Sequence, residues 1–330
     1  MTLLRVLALA LLSIPVFGYC AWALAAIWID GPTSRALAGV ALAFVALVFL
    51  FLLIRVRPYR RALLALVAVS AVVMLWWFTI PPSNDRDWIP DVAQTARAQF
   101  DSDGHHVTIS NIRDFTYKSE TDYEPHWETR TFDLDKLLGA DLFISFWGPT
   151  LYAHTIMSWE FSDQPPLAIS IETRKEKGES YSALLGFFRQ YELYYVVANE
   201  RDVIGVRDLF RGEHTYLYRL AAPRENARRL LVDYLRDADQ LAQTPRWYNA
   251  LTQNCTTSIR NRVMHAGGQV PLSWKLLLNG RLDELMSERG SFKSKLPLAE
   301  LRAKSEITER AKAAGMSPDF SAQIRVGLPD

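Results

Sequence analysis

Only two cysteines occur in the 330 residues, Cys20 and Cys255, and the second stands in the polar run "LTQNCTTSI" (251–259). A thiol among Gln, Asn and Thr is either a small buried hydrophobe or a nucleophile. Cys255 opens a helix-like stretch, 255–266, that ends at Gly267 and Gly268 as helix C-termini often do. The first turn of a helix presents unpaired N–H groups and the positive end of the helix dipole, which favour thiolate over thiol. The same N–H groups, with Asn254 beside them, could hold a developing oxyanion.

A thiolate nucleophile needs a base. His265 shares the helix but lies ten residues on, ~15 Å away, and suits the helix C-terminus better than a dyad. Any base must then precede the cysteine, the reverse of the papain-like order, which points to a circularly permuted arrangement. His105 and His106 in "DSDGHH" and His126 in "YEPHWE" occupy ordinary solvated turns, and His214 follows "RGE" at the start of a strand. His154 opens "HTIMSWEF", where alternation puts His154, Ile156, Ser158 and Glu160 on one face and Thr155, Met157, Trp159 and Phe161 on the other. Such a stripe suits the wall of a cleft, and equally any half-exposed strand. If 167–174 pairs with this strand across the loop "SDQPP", Glu172 shares the face of His154. A carboxylate there could orient the imidazole, or simply balance Arg174 or Lys175.

The elements that must position these residues divide the chain in two. Residues 6–29, 36–54 and 62–80 carry no charge, and each run can cross the ~30 Å hydrocarbon layer as a helix. The first run is longer than the apolar core of a cleaved signal peptide and is followed by two more, so it reads as an anchor. Arg55, Arg57, Arg60 and Arg61 crowd the second loop, whereas the first has Arg35 beside Asp30, which puts the N-terminus and the second loop in the cytoplasm and everything after Ile80 outside. Trp76, Trp77 and Phe78 close the third span as an interfacial aromatic belt.

Residues 1–80 thus form a membrane domain, 81–105 a Pro-containing linker leading into the fold, and 106–330 one sizeable domain. Strand-like runs are "HVTISNI", "DLFISFW", "HTIMSWEF", "LAISIET" and "HTYLYRL", with "YELYYVVA" and "VIGVR" reading as a hairpin; 181–190, 224–242 and 255–266 read as helices. Clustered strands with helices before and after argue an α+β fold. The net charge of +1 averages a membrane part and a mixed-charge domain and says little about partners, but the lack of a basic block or aromatic-basic stripe argues against nucleic acid. No metal-ligand spacing, phosphate loop, dinucleotide fingerprint or serine elbow is present, so neither a metal nor a cofactor is expected.

The strings "NIRDFTY", "FDLDKL", "ADLFISFWG", "AHTIMSWEF", "ISIETRKEKGESYSALLGFFRQYELYYVVANERD" and "YNALTQNCTT" resemble the Lnb N-terminal periplasmic domain family of bacterial membrane proteins, from about His106 to Ile259. The resemblance implies a permuted papain-like fold, similar to that of the lecithin–retinol acyltransferase group, in an inner-membrane protein. It implies lipoprotein N-acylation through a thioester, with the family's histidine at His154 and its cysteine at Cys255, and a lipid or lipoprotein substrate at the membrane surface. Glu172 is placed by strand geometry. In the family's acyltransferase the periplasmic domain precedes the membrane part, whereas here the spans come first, so a cell-wall peptidase or amidase and a non-enzymatic tethered binding module stand as alternatives.

Overall fold

The computed structural model describes residues 3–32, 34–148, 150–250, 252–253, 255–265, 273–277 and 279–330, with backbone alone at Leu3, Arg5, Val6, Cys255 and Leu277. The chain forms two compact units, one comprising the residues up to Ser83 with Ser182–Tyr191, the other Asn84–Tyr181 with Glu192–Asp330.

The first unit holds three helices, α1 (Leu3–Asp30), α2 (Arg35–Arg55) and α3 (Tyr59–Phe78). All three are long and apolar enough to cross a membrane. Phe44, Leu47, Leu64 and Leu75 point outward, as lipid-facing residues must. Small residues pack the interior: Ala23, Ala26, Ala38 and Ala62 are fully buried. Cys20 is buried and accepts the Ser70 hydroxyl at 3.5 Å, so it takes the role of a small hydrophobe.

In the second unit the strands are β1 (Arg97–Phe100), β2 (His106–Arg113), β3 (Thr116–Tyr117), β4 (Tyr123–Glu124), β5 (Trp127–Asp133), β6 (Leu137–Phe146), β7 (His154–Phe161), β8 (Leu167–Arg174) and β9 (Glu192–Asn199). A short helix α4 (Glu200–Val203) and a π-helical turn (Val206–Phe210) lead to β10 (His214–Arg219). Helices follow: α5 (Arg224–Gln243), α6 (Cys255–His265), α7 (Trp274–Leu277), α8 (Leu282–Glu288), α9 (Leu298–Ser305), α10 (Thr308–Ala314) and α11 (Phe320–Ile324). Among the described residues, one eight-stranded sheet runs in the order β1-β2-β9-β8-β7-β6-β10, with β5 also on β2. This is an α+β domain behind three apolar helices.

Two expected elements differ. The segment "VIGVR" is not the return strand of a hairpin; β9 runs instead into α4 and the π-helical turn, where Val203, Ile204 and Val206 are buried. Burial against neighbouring elements overrides the β-propensity of Val and Ile. Residues 181–190 form no helix beyond a short 3-10 turn at Leu185–Phe187, and most of them fold with the spans.

Both faces of the sheet are covered. On one, Phe143, Ile156, Ala168, Tyr194, Val196 and Leu217 pack against Val203, Ile204, Ile307, Ala311, Phe320 and Ile324 from α4, α10, α11 and their flanks. On the other lies α5, whose buried Ala227, Leu230, Leu231, Tyr234, Leu235 and Ala238 recur at helical spacing. Trp159 packs edge-on to Tyr234 and donates its indole N–H to the Ala227 carbonyl at 3.0 Å. Several polar positions on the covered strands are paired inside. Ser158 donates to Glu200 at 2.5 Å, and Arg325 of the C-terminal segment binds Glu200 at 2.6 Å and Asp141 at 2.8 Å.

Candidate functional site

His154 is the first residue of β7, opposite Ser145 of β6. On its other side β8 pairs antiparallel, Ile156 facing Ser170, and this register puts Ser170 and Glu172 on the sheet face of His154. The imidazole Nε2 lies 2.6 Å from Ser170 Oγ, and that hydroxyl donates to Glu172 Oε1 at 2.8 Å. A hydroxyl has one hydrogen, so Ser170 accepts from Nε2–H and the basic nitrogen of the neutral ring is Nδ1. The Nε2 to Oε1 distance of 3.6 Å is too long for a direct hydrogen bond. Ser170 is thus the group that holds the ring.

Glu172 is held in turn. Arg207, buried in the π-helical turn, donates to Glu172 at 2.8 Å and to Glu213 at 3.1 Å. Burial is the largest influence and opposes ionisation of Glu172, but the Arg207 guanidinium together with His154, Arg211 and Arg113 overcomes it and keeps the carboxyl far below the usual carboxylate range. Glu213, also buried, is drawn down by Arg207 and by the Ser145 hydroxyl, which donates to it at 2.6 Å. Next to them, burial pushes Asp208 up to about 7, against the pull of Thr215 and Arg207. An imidazolium formed at His154 faces two carboxylates and one guanidinium.

Cys255 is the first residue of α6; its side chain, and Asn254 as a whole, lie outside the described residues. The helix packs on the α5 face of the sheet. Its Thr256, Ile259 and Val263 line a cavity with Leu142 and Met157, and its Arg262 binds Asp237 of α5 at 2.5 Å. The imidazole of His154 points to the opposite face, toward Ser170. What joins the two is the start of β7. Asn279 Oδ1 accepts the Ala153 N–H at 2.8 Å, while its Nδ2 donates to the Ala153 carbonyl and to Thr256 Oγ1, the latter at 2.9 Å. The first turn of α6 is thereby fastened beside the residue that precedes His154. Gly280 makes the approach possible: its N–H donates to the Leu151 carbonyl at 3.1 Å, and a Cβ there would stand 2.0 Å from the Thr150 carbonyl oxygen.

Two cavities flank this junction. The apolar one, about 330 Å³, lies between α5, α6, α8 and the sheet, with Leu230, Leu276, Leu282 and Leu285 in its walls and Arg260 and Arg289 among its few polar residues. A polar groove of about 650 Å³ is lined by Trp147, His214, Tyr216, Asp283 and Arg302. Among the described residues, Asp101, Asp103 and His106 bring potential metal-ligand atoms within 4.8 Å of one another, in the β1–β2 turn and outside the His154 network. His265, the last residue of α6, lies 4.0 Å from Asp233.

Residues 123–280 match the family model of the Lnb N-terminal periplasmic domain. The chain carries this domain. No curated protein and no solved structure matches the chain. The Lnb domain so bounded contains His154, Ser170, Glu172, Arg207, Cys255 and Asn279, and leaves out α1–α3, β1–β3 and α8–α11. With three helices apolar enough to span, this is a membrane protein with a periplasmic domain.

Sequence reasoning missed Ser170, Arg207 and Asn279. Ser170 was within reach of the same alternation that selected Glu172, two residues on. Arg207 was hidden by reading its turn as a strand, and Asn279 carries no local signal.

Proposed function

We propose that the Lnb domain of this chain is a cysteine-dependent acyltransferase, with Cys255 as nucleophile and His154 as base. The observation that carries the reading is the Thr256–Asn279–Ala153 tie, which fastens the start of the Cys255 helix beside the residue that precedes His154, whose Nε2 is occupied and whose Nδ1 has no hydrogen-bond partner among the described residues. In this mechanism Nδ1 takes the thiol proton and the thiolate attacks an ester carbonyl. The C–S bond forms, the C–O bond breaks, and the alcohol leaves with the proton from His154. An amine then attacks the thioester, the C–N bond forms, the C–S bond breaks and its proton passes to the imidazole. N–H groups at the start of α6, with Asn254, stabilise each oxyanion.

The apolar cavity against α6 supports a lipid acyl chain as the donor group, and the acceptor suggested by the resemblance of the sequence strings is the α-amine of a lipoprotein cysteine. The arginines at the end of α2 and the start of α3 support an inner-membrane protein with a cytoplasmic N-terminus. The polar groove beside Trp147 favours a second reading, hydrolysis of a cell-wall or periplasmic peptide by the same thiol.

The test is to incubate the full chain in lipid nanodiscs with a phospholipid carrying a labelled acyl chain, and to look for a hydroxylamine-sensitive adduct on the Cys255 peptide by mass spectrometry. Cys255→Ala should carry none. His154→Ala should slow its formation by ~10²-fold or more, and Glu172→Gln by less. Label held equally by Cys255→Ala sinks the thioester, and an adduct resolved by water alone with a peptide donor selects the peptidase. A Cys255→Ala chain that supports unchanged lipoprotein acylation in cells leaves only the binding module.

A further inference from the structure

Between β8 and β9 the chain leaves the sheet domain, and Ser182–Tyr191 fold with the spans. No charge occurs from Ser180 to Phe188, and the sequence "SALLGFF" is apolar apart from its serine. This strap is bonded to the ends of two spans. The Arg189 N–H donates to the carboxylate of Asp30, the last residue of α1, at 3.1 Å. Gln190 Nε2 donates to the same carboxylate at 2.7 Å and to the Ile29 carbonyl at 3.2 Å, capping the helix. Trp77, in the last turn of α3, donates its indole N–H to Asp30 at 2.7 Å, and the Arg189 guanidinium lies 4.1 Å over the Trp77 ring.

The strap's base is therefore fixed at the level where α1 and α3 end. Trp28, Trp76 and Phe78 are exposed there, as an interfacial aromatic belt is. Its tip is Ala183 and Leu184, with Leu184 66 % exposed, and Leu185 and Phe187 half-buried behind them. An uncharged tip held at a span terminus lies within the headgroup and upper acyl region of that leaflet.

We infer that Ser182–Tyr191 is an interfacial membrane strap whose Leu184 tip inserts into the lipid leaflet reached by the ends of α1 and α3. Arg189 and Gln190 hold it at headgroup depth and the apolar tip takes lipid, giving the domain a second attachment besides its covalent link to α3. The inference stands apart from any role of Cys255.

The experiment places one cysteine at Leu184→Cys in a Cys20→Ala, Cys255→Ala chain, labels it with the environment-sensitive fluorophore NBD, and reconstitutes the full chain in phosphatidylethanolamine/phosphatidylglycerol nanodiscs. Leu75→Cys, lipid-facing on α3, calibrates a lipid environment. The strap probe should be blue-shifted, shielded from aqueous iodide, and quenched several-fold more by a doxyl group near the headgroup than by one deep in the acyl chain. Emission like that of free dye in buffer, with full iodide quenching and no doxyl quenching, would overturn the inference. Should Leu184→Cys fail to assemble, Ala183→Cys decides by the same two outcomes.

Discussion

Between His154 and Glu172 the contact runs through one hydroxyl, and behind Glu172 stands the buried guanidinium of Arg207. Alternation along two strands made His154 and Glu172 legible in the sequence because period-2 geometry needs only a register, and the loop "SDQPP" supplied it. Arg207 was not legible, since a π-helical turn aims a side chain by tertiary packing that no local pattern encodes. Its charge controls the pH response of this network. Glu172 and Glu213 have carboxyls depressed in the folded state. The stability they contribute is fully present above the unfolded value of ~4.3 and is lost as pH falls through their lower folded values. In Arg207→Met the buried Glu213 and the partly exposed Glu172 lose their cation, so the variant should be destabilised at pH 7 by roughly 2–4 kcal/mol, toward the lower end because the Glu172 side chain is a quarter exposed. The deficit should shrink steadily below pH ~4.3. Thermal denaturation at pH 4, 5.5 and 7 measures it, and a deficit that does not change with pH would mean that Arg207 acts by packing alone.

At the scale of elements, β7 and β8 came out nearly to the residue, because β-branched and aromatic runs bounded by polar turns admit few other conformations. The turn after β9 did not, because Val and Ile buried on a helix look locally like Val and Ile in a strand. Two junctions now invite substitution. Asn279→Ala removes the hydrogen bonds that join β7 to α6, and Gly280→Ala drives a methyl group onto the Thr150 carbonyl. If the Cys255 helix acts with His154, both should lower turnover by at least tenfold, with the thermal midpoint falling only slightly in Asn279→Ala and further in Gly280→Ala, whose methyl meets backbone. Full activity in both would show that the tie does not position the thiol. Arg325 presents a different case. It satisfies Glu200, Asp141 and Glu160 at once, and burial pushes Asp141 up to about 6 even with that guanidinium present. Arg325→Met leaves buried carboxylates unpaired and should cost about 3–5 kcal/mol. Circular dichroism during heating should show α11 and the sheet melting together at a lower temperature, and an unchanged midpoint would refute the cluster as the anchor of the C-terminus.

For the whole molecule, the division into spans and an α+β domain was legible because uncharged runs of membrane length are rare outside membranes. The strand order was not, since β10 joins β6 and β2 meets β9 through pairings distant in sequence. The inserted strap was hidden for a related reason: an apolar stretch inside a soluble domain reads as core until its hydrogen bonds to Asp30 are seen. Orientation rests on charge alone. Arg55, Arg57, Arg60 and Arg61 lie within a few residues of two span ends, and moving such cations across a bilayer is what membrane insertion avoids. A chain cut after Pro90 and fused to alkaline phosphatase should therefore be active in cells, and the same chain fused to a fluorescent protein that matures only in the cytoplasm should be dark. Replacing the four arginines by Gln and adding lysines to the α1–α2 loop should shift part of the population to the reverse pattern, because the charge bias and not the hydrophobic runs sets the sign. A bright fusion from the unaltered chain would put the thiol of Cys255 in a reducing compartment and remove periplasmic acylation with it.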